Sequence, residues 1–250
     1  MGCRLNLSST ISGRVEQRNH RPVVSIILCT FNRAGLIARA IDSVLRQDFK
    51  SFELIVIDDG SSDETYGVVL QIAREDSRCI YMCHHNRGLS ASRNAGISLA
   101  RGKYVTFLDS DDEYRRAHIA KRLEYLERRP DVDAIYGGVH CIGPRSKQYV
   151  VDLTSQGHKV HVSKCFVGGT LFARRKVLEK VGGFPDFDFG EDYHLMLKLK
   201  KKFNVRRVSW PTYIYHTDAP DRLCDLFEKG GSEAITDLRK GSLVGSAMRS

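Results

Sequence analysis

The residues best suited to chemistry are four carboxylates that follow an apolar run. Asp109, Asp111, Asp112 and Glu113 come directly after the run that ends at Leu108. Like charges packed this closely repel one another, so they need a cation nearby. Mg²⁺ and Mn²⁺ prefer carboxylate oxygen and often take one or two carboxylates together with substrate phosphates. The Asp109/Asp111 pair therefore predicts a divalent metal site. The alternative is that these carboxylates stabilise the N-terminus of the following helix, a role that suits Asp112.

Polar side chains also follow two other predicted strands. The first strand ends in Thr30 and Asn32, and the second ends in Asp59. In parallel α/β sheets ligands bind at the carboxyl ends of the strands, so these side chains and Asp109 are expected at one edge. An Asp followed by Gly and Ser also makes an ordinary turn, so Asp59 by itself does not distinguish a ligand site from a turn. The convergence of three strand ends predicts a ligand site.

The elements that position these residues alternate between strand and helix. Apolar runs rich in β-branched residues predict strands buried on both faces, and helical spacing predicts helices between them. The predicted strands are 22–31, 52–59, 79–85 and 103–112, and the predicted helices are 34–47, a segment around 68–72, and 88–102 closed by Gly102. This order predicts an α/β fold with a doubly wound, mainly parallel sheet and helices on both faces.

Beyond the acidic cluster the pattern is less regular. We expect a helix at 114–128, a strand at 132–143, an irregular stretch at 143–163, a helix at 190–203 and a strand at 205–216. The predicted organisation is a flexible lead at 1–21, one domain at 22–220 with an elaborated C-terminal half, and a weakly patterned tail at 221–250.

Composition narrows the class of protein. The chain has 250 residues, a formal net charge of +9 and 42% hydrophobic residues, as in a soluble globular enzyme. Seven scattered cysteines without a C-x-x-C pair favour a reducing compartment over a disulfide framework or zinc ribbon. No apolar run approaches the ~20 residues that span a bilayer, and no secretory signal is visible, so a cytoplasmic location is predicted.

The positive charge indicates an anionic partner. Nucleic acid would fit the sign, but the charge is dispersed apart from Lys198–Lys202, and no nucleic-acid partner is predicted. An anionic substrate or the surface of an anionic membrane accounts for the charge equally well. Neither a G-x-x-x-x-G-K-[ST] loop nor a G-x-G-x-x-G turn is present, which argues against P-loop enzymes and dinucleotide dehydrogenases.

Four segments, in this order and spacing, resemble the GT-A-fold, family 2 nucleotide-sugar glycosyltransferases: VSIILCTFNR, LIVIDDGSSDET, NRGLSASRNAGISLARGKYVTFLDSDD and GGFPDFDFGEDYHLMLKL. The resemblance covers residues 22–216. It implies an inverting enzyme that uses Mn²⁺ or Mg²⁺ to transfer a sugar from a nucleoside diphosphate donor, taken as a UDP-sugar. The implied acceptor is a hydroxyl of a saccharide or lipid-linked molecule, in surface polysaccharide or glycolipid synthesis. Peripheral contact with the inner face of the membrane would suit such an acceptor.

On the donor side, the resemblance implies a role for each polar residue at the strand ends. Thr30 and Asp59 would contact the base, Arg93 the base and diphosphate, Asp109 the ribose and Asp111 the metal, with Asn32 and Gly88 also on the nucleotide side. On spacing alone, Arg93 is equally compatible with a solvated helix arginine.

On the acceptor side, the resemblance implies a general base. Asp192 is the expected base and Glu191 would position the acceptor or the base; alternatively both carboxylates merely favour a helix N-terminus. Gly169 and Thr170 would form the floor, where glycine allows close approach. His216 would be a third metal ligand or diphosphate contact, or else a strand-end histidine with a structural hydrogen bond.

Two rival functions remain at this level. A nucleotidyl- or phosphoryl-transfer enzyme would use the same aspartate–metal chemistry without needing Asp192. A catalytically silent sugar-nucleotide-binding module would keep Thr30, Asp59 and Asp109 but would have no use for a base. The presence of both the D-x-D pair and Glu191-Asp192 favours the transferase.

Overall fold

The computed structural model describes residues 21–151 and 158–239. The flexible lead predicted at 1–21 lies outside the described residues except for Arg21, and so does the end of the predicted tail. Among the helices of the described part, none combines the length and apolar character needed to cross a bilayer.

A central sheet carries the residues that the sequence singled out. The described strands are β1 (Val24–Thr30), β2 (Phe52–Asp58), β3 (Cys79–Cys83), β4 (Tyr104–Asp109), β5 (Glu113–Tyr114), β6 (Ala134–Tyr136), β7 (Val139–Ile142), β8 (Tyr149–Val151), β9 (Lys159–His161), β10 (Phe172–Arg174), β11 (Val205–Arg207) and β12 (Tyr213–His216). The sheet order is β11-β6-β10-β4-β1-β2-β3, with β10 antiparallel to both of its neighbours and the other pairs parallel. A smaller sheet has the order β5-β12-β7, and β8 and β9 form a hairpin.

Helices cover both faces of the central sheet. They are α1 (Ala34–Leu45), α2 (Thr65–Glu75), α3 (Leu89–Leu99), α4 (His118–Arg128), α5 (Arg175–Val181), α6 (Glu191–Lys202) and α7 (Leu223–Arg239), the last broken by non-helical backbone at Gly230 and Gly231. Alternate residues of β1 enter opposite cores: Ile26 packs with α1 and α4 residues, and Ile27 with α3, α5 and α6 residues. This double burial explains the continuous apolar runs and confirms the predicted doubly wound α/β fold.

Two predicted strands are each divided between the two sheets. The segment 132–143 forms β6 in the central sheet and β7 in the small one, and 205–216 forms β11 and β12 in the same way. The first break lies at Gly137 and Gly138, whose φ angles are +95° and +80°. A Cβ atom at Gly138 would lie 1.9 Å from the carbonyl oxygen of Trp210, so only glycine allows the two segments to cross there.

Three further predictions need correction. Helix α3 ends at Leu99, so Gly102 is not its C′ residue; a Cβ at Gly102 would lie 2.7 Å from the Ser25 nitrogen, and the glycine serves close backbone approach. The predicted helix 114–128 begins at His118, because residues 113–114 pair with β12. The stretch 143–163, expected to be irregular, contains the β8–β9 hairpin. Within the predicted tail, residues 223–239 form α7.

Candidate active site

The carboxyl ends of β1, β2 and β4 open into a cavity of about 550 Å³. Its lining brings together residues that are far apart in the chain: Thr30, Asp59, Gly88, Arg93, Asp109, Asp111, Glu191, Asp192 and His216. The predicted convergence of three strand ends is therefore present in the structure. The N-terminus of α6 closes the cavity from the opposite side and supplies Glu191 and Asp192.

Arg93 links the two sides of the cavity. Its Nη2 atom donates to Asp109 Oδ1 at 2.8 Å and its Nη1 atom donates to Glu191 Oε1 at 2.5 Å. The guanidinium also lies over the Phe184 ring, 4.9 Å from its centre. Because the residue is only 4% exposed, it is not a solvated helix arginine. The buried cation instead fixes the D-x-D strand end and the α6 N-terminus relative to each other.

Asp112 fixes the acidic turn, residues 109–112, to the small sheet. Its carboxylate accepts hydrogen bonds from Tyr213 Oη at 2.7 Å and from the backbone N–H of His216 at 2.8 Å. Tyr213 also donates to Asp109 Oδ2 at 3.2 Å. Burial, together with Asp111 and Asp109, raises the pKa of Asp112 well above its ordinary value. Helix α4 has Ala117 at its N-cap, so Asp112 holds the small sheet under the turn and does not cap the helix.

Asp111 and His216 have the features expected of metal ligands. Burial and the neighbouring Asp109 raise the pKa of Asp111, so a cation at this carboxylate would relieve an unfavourable charge. His216 Nε2 is 2.7 Å from Glu113 Oε1, and because a carboxylate only accepts, Nε2 carries the proton. The buried Nδ1 then presents a lone pair. It makes no hydrogen bond in the part of the chain that the structure describes, although Asp218 Oδ1 lies 3.5 Å from it.

The two ligands do not make a complete site. No group of three or more histidine, cysteine or acidic side chains placed to hold an ion occurs within residues 21–151 and 158–239. Hard divalent cations usually take six or more oxygen ligands, including waters and substrate phosphates. The protein side chains here fit a metal that binds together with a phosphate-bearing substrate.

The part of the cavity near the end of β1 has unused hydrogen-bonding groups. Thr30 Oγ1 and Asn86 Nδ2 are buried and have no hydrogen-bond partner among the described residues, and both residues line the cavity. Buried polar groups are normally paired, so a missing partner indicates a ligand or an ordered water. Asn86 begins the quoted segment NRGLSASRNAGISLARGKYVTFLDSDD, but no role was predicted for it there.

Asp59 and Asn32 shape this end of the cavity. The Asp59 carboxylate accepts the backbone N–H groups of Arg87 at 2.7 Å and Gly88 at 2.8 Å, which fixes the entry to α3. Asn32 does not line the cavity; its Oδ1 accepts the N–H of Ser62 at 2.8 Å and closes the turn after β1. Its predicted contact with the nucleotide stays a prediction.

Asp192 lines the cavity from the first turn of α6. Its carboxylate accepts the backbone N–H of Gly168 at 3.0 Å and that of Tyr193 at 2.7 Å. Burial and the adjacent Glu191 raise the pKa of Asp192 to about 7. A carboxyl group with this pKa exchanges protons near neutral pH, which is the property required of a general base.

Of the residues predicted for the acceptor side, neither Gly169 nor Thr170 lines the cavity, whereas the adjacent Gly168 does. A Cβ at Gly169 would come within 2.3 Å of Tyr213 Oη, so this glycine allows the tyrosine to reach the acidic turn. Thr170 Oγ1 is buried and donates to the Val167 carbonyl at 2.7 Å. Their contact with an acceptor stays a prediction.

The outer half of the cavity is apolar. The hairpin, the segment after it, and helices α6 and α7 contribute Val150, Val151, Val160, Val162, Phe166, Met196, Leu197, Ile235 and Leu238. Along α6 the lining residues are Tyr193, Met196, Leu197 and Lys200, the spacing of one helix face. The cavity thus has an acidic inner end at the sheet and an apolar outer end.

A model of the family described as Glycosyl transferase family 2 matches residues 25–182. Over 195 residues, 75% of this chain and 73% of the relative, the sequence is 31% identical to the UDP-Glc:alpha-D-GlcNAc-diphosphoundecaprenol beta-1,3-glucosyltransferase WfgD of Escherichia coli. It is 46% identical over 94 residues to the GalNAc(5)-diNAcBac-PP-undecaprenol beta-1,3-glucosyltransferase of Campylobacter jejuni, covering 37% of this chain and 30% of that protein. An uncharacterized glycosyltransferase of Rickettsia prowazekii is 32% identical, and the matched part spans 60% of its length.

Solved structures share the fold. TarS residues 1–349 of S. aureus, in complex with UDP-GlcNAc, superimpose with a TM-score of 0.67 at 20% identity, covering 89% of this chain and 66% of TarS 1–349. The mannosyltransferase PcManGT of Pyrobaculum calidifontis, in complex with GDP-Man and Mn²⁺, gives a TM-score of 0.64 at 20% identity, covering 93% of this chain and 77% of that protein.

Proposed function

Because the chain belongs to glycosyl transferase family 2 and has the GT-A fold, we propose that it transfers a sugar from a nucleoside diphosphate donor to an acceptor hydroxyl. The observation that carries this proposal is the Asp109–Arg93–Glu191 bridge. One buried arginine pairs with Asp109 of the acidic turn on one side and with Glu191 on the other. Glu191 is followed by Asp192, whose pKa burial and Glu191 raise to about 7. Donor activation needs the acidic turn and acceptor deprotonation needs a base, so the two must be held at a fixed separation.

The donor is proposed to be a UDP-sugar. The Escherichia coli relative is named for a UDP-Glc donor. In this chain, the partnerless Thr30 hydroxyl and Asn86 amide offer an acceptor and donors for the edge of a base, and Asp109 lies at the strand end beside them. A pyrimidine edge presents both kinds of group, so the unused hydrogen-bonding capacity of the cavity suits it.

Asp111 and His216 are the proposed holders of Mn²⁺ or Mg²⁺. When bound, the metal would neutralise the negative charge that develops on the departing diphosphate. Asp109 and Asp112 stay engaged with Arg93 and Tyr213, so Asp111 is the carboxylate of the turn that remains for a cation. Two protein ligands leave the remaining positions to diphosphate oxygens and water.

Asp192 is the proposed base of a single-displacement, inverting reaction. It accepts the proton of the acceptor hydroxyl as that oxygen attacks the anomeric carbon from the face opposite the diphosphate. The Gly168 N–H holds its carboxylate in place, and the Glu191–Arg93 ion pair fixes the first turn of α6. Arg93 thereby sets the distance between the base and the donor.

The acceptor is proposed to be a saccharide on a lipid carrier. Two relatives are named for acceptors on diphosphoundecaprenol or PP-undecaprenol. The apolar outer half of the cavity would suit the start of such a lipid. The corresponding proposals for the cell are polysaccharide or glycolipid synthesis and peripheral association with the inner face of the membrane.

Calorimetric titration of UDP and GDP, with and without Mn²⁺, tests the proposal in the wild type and in Asp111→Ala. We expect metal-dependent binding of UDP that Asp111→Ala weakens by at least about tenfold, as loss of a charge-assisted contact predicts. Absence of nucleotide binding under every condition would refute the transferase. Diphosphate cleavage that persists in Asp192→Asn would favour nucleotidyl or phosphoryl transfer.

A further inference from the structure

The outer end of the cavity contains two lysines and no acidic residue. Lys164, which follows the hairpin, and Lys200, on α6, both line the cavity. The acidic lining residues are Asp59, Asp109, Asp111, Asp112, Glu191 and Asp192, all at strand ends, in the acidic turn or at the α6 N-terminus. Three arginines also line the cavity, and each contacts protein oxygens: Arg33 the Asp221 carbonyl, Arg93 the carboxylates of Asp109 and Glu191, and Arg222 that of Asp225. The two lysines lie apart from the carboxylates, on the segment after the hairpin and on α6.

These two lysines differ from the two lysines on either side of the hairpin. Lys147 and Lys159, on either side of the hairpin, pair with Asp225 and Glu228 of α7 at 3.4 and 2.7 Å. Lys164 and Lys200 make no ion pair with a carboxylate in residues 21–151 and 158–239. Their positive charge is thus left available to the contents of the cavity.

The Lys200 ammonium is held in position by an aromatic ring. Its Nζ atom lies 5.4 Å from the centre of the Tyr136 ring, and Tyr136 packs edge-on against Phe166 at 5.4 Å. Both aromatic residues also line the cavity. A cation–π contact orients an ammonium without neutralising its charge, so Lys200 remains able to bind an anion.

The spacing of residues along α6 gives the distance from the proposed base to Lys200. Asp192 and Lys200 are eight residues apart on the same helix, which corresponds to about 12 Å along the axis. A hydroxyl at Asp192 would belong to the acceptor sugar, because Asp192 is the proposed base. One sugar ring followed by a diphosphate can span this separation. The apolar residues of the outer half, Leu197 among them, then lie next to the start of a lipid chain.

We propose that Lys164 and Lys200 form a subsite for the diphosphate of the acceptor, directly beyond a single acceptor sugar. The inference rests on the proposed transferase function and narrows its acceptor to an anionic, diphosphate-linked lipid saccharide. A neutral glycolipid or a free oligosaccharide would leave both ammonium groups without a partner. The metal and its ligands belong to the donor diphosphate, so the two diphosphates occupy opposite ends of one cavity.

Geranyl diphosphate and geraniol are suitable probes, because they share an apolar chain and differ in charge. Each is titrated calorimetrically into the full chain with UDP and Mn²⁺ at saturating concentration, so that the donor site is filled. The test variant is Lys164→Gln/Lys200→Gln. The matched control is Lys198→Gln/Lys201→Gln, which removes the same charge from exposed residues of α6 that do not line the cavity.

We expect geranyl diphosphate to bind the wild type and the control equally, and the test variant at least about tenfold more weakly, since each lost contact is a charge-assisted one. Geraniol should bind all three proteins alike. If both double variants bound geranyl diphosphate equally weakly, the lysines would attract anions, or an anionic membrane surface, only in a diffuse way. That result would overturn the subsite. Unchanged binding in the test variant would overturn it as well.

Failure of the proposed function gives a different pattern. If UDP with Mn²⁺ does not bind the wild type, the transferase proposal fails while the geranyl diphosphate titration, repeated without nucleotide, still compares the two double variants. A difference confined to Lys164→Gln/Lys200→Gln would then assign a diphosphate site in a protein of another function. If the two double variants bound geranyl diphosphate equally, both proposals would fail.

Discussion

At the scale of single residues, the site depends on a few buried contacts of charged side chains, and these contacts join segments that are distant in the sequence. Arg93 on α3 holds Asp109 and Glu191, and Tyr213 on β12 holds Asp109 and Asp112. Each carboxylate of the site is therefore either fixed by a donor or, like Asp111, left for a cation. Buried charges are tolerated only when paired in this way, so the network restricts each residue to one role.

Replacement of Asp192 by Asn should abolish turnover and spare donor binding. The Asn side chain keeps an oxygen for the Gly168 N–H but cannot accept a proton, so kcat should fall by about 10²–10⁴-fold. In the wild type, kcat/KM should rise with pH through about 7, because the carboxyl of the free enzyme must lose its proton before it can act as a base. Steady-state kinetics from pH 5.5 to 8.5 and UDP titration test both points. A pH-independent kcat/KM would assign the base elsewhere.

Replacement of Tyr213 by Phe should weaken donor binding through the acidic turn. The change removes the hydroxyl that donates to Asp112 and Asp109 at 2.7 and 3.2 Å. We expect the Kd for UDP in the presence of Mn²⁺ to rise about tenfold, because a buried carboxylate loses its donor. Titration without Mn²⁺ should show a smaller change, since the turn acts on the metal ligand Asp111.

Tyr104→Phe is the matched control for Tyr213→Phe. Tyr104 is a buried tyrosine of the central sheet whose hydroxyl donates to Glu127 at 2.5 Å, away from the cavity. It should lower the free energy of unfolding without changing the Kd for UDP. An equal change of Kd in the two variants would mean that Tyr213 acts only through general stability.

At the scale of elements, helix α3 has to approach β1 closely to bring Arg93 under the cavity. Gly96 makes this approach possible, because a Cβ there would lie 2.4 Å from Ile27 Cγ2. Gly96→Ala should therefore reduce the free energy of unfolding by about 1–3 kcal/mol, the cost of overpacking a core, and should weaken UDP binding by displacing Arg93. Urea unfolding and UDP titration measure the two effects.

Gly67→Ala provides the control for Gly96→Ala. Gly67 lies in α2, where a Cβ would be 3.5 Å from its nearest neighbour, in ordinary contact with the Glu64 side chain. Alanine there should stabilise the helix by about 0.5–1 kcal/mol. If both variants were stabilised, the tight α3–β1 contact would not be required for the fold.

The sequence predicted the elements with strong local patterns and missed those set by contacts between segments. β1, β2 and β4 were recognised because both of their faces are buried, which gives continuous apolar runs. The strands of the hairpin are three residues long, too short for a pattern. The division of 132–143 between two sheets depends on a crossing with the distant Trp210, and Tyr213 and Asn86 join the site only through tertiary folding.

At the scale of the whole molecule, the site carries a cost in stability. Burial raises the pKa of Asp192, so between the ordinary aspartate pKa near 4 and about 7 the folded chain binds more protons here than the unfolded chain. The contribution of Asp192 to the free energy of unfolding therefore decreases as the pH rises through this window. Activity and stability are thus expected to respond to pH in opposite directions.

Asp192→Asn should consequently raise the Tm more at pH 8 than at pH 5. At pH 8 the variant removes a buried charge, whereas at pH 5 the wild-type carboxyl is already largely protonated in the folded state. The gain in Tm should be about 2–4 °C for each kcal/mol of unfolding free energy recovered. Differential scanning calorimetry at the two pH values measures the gain, and a Tm change of the same size at both would contradict the raised pKa.

The crossing at Gly137 and Gly138 also limits how family members can be recombined. Each of the segments 132–143 and 205–216 contributes one strand to the central sheet and one to the small sheet, which holds Tyr213 and His216. A chimera joined within either segment would combine half of one parent's crossing with half of the other's. Exchange of the segment 145–166, which carries the hairpin and Lys164, leaves both crossings within one parent. The hairpin side of the cavity is therefore expected to be exchangeable between parents, whereas the acidic turn, which Tyr213 and His216 contact, is not.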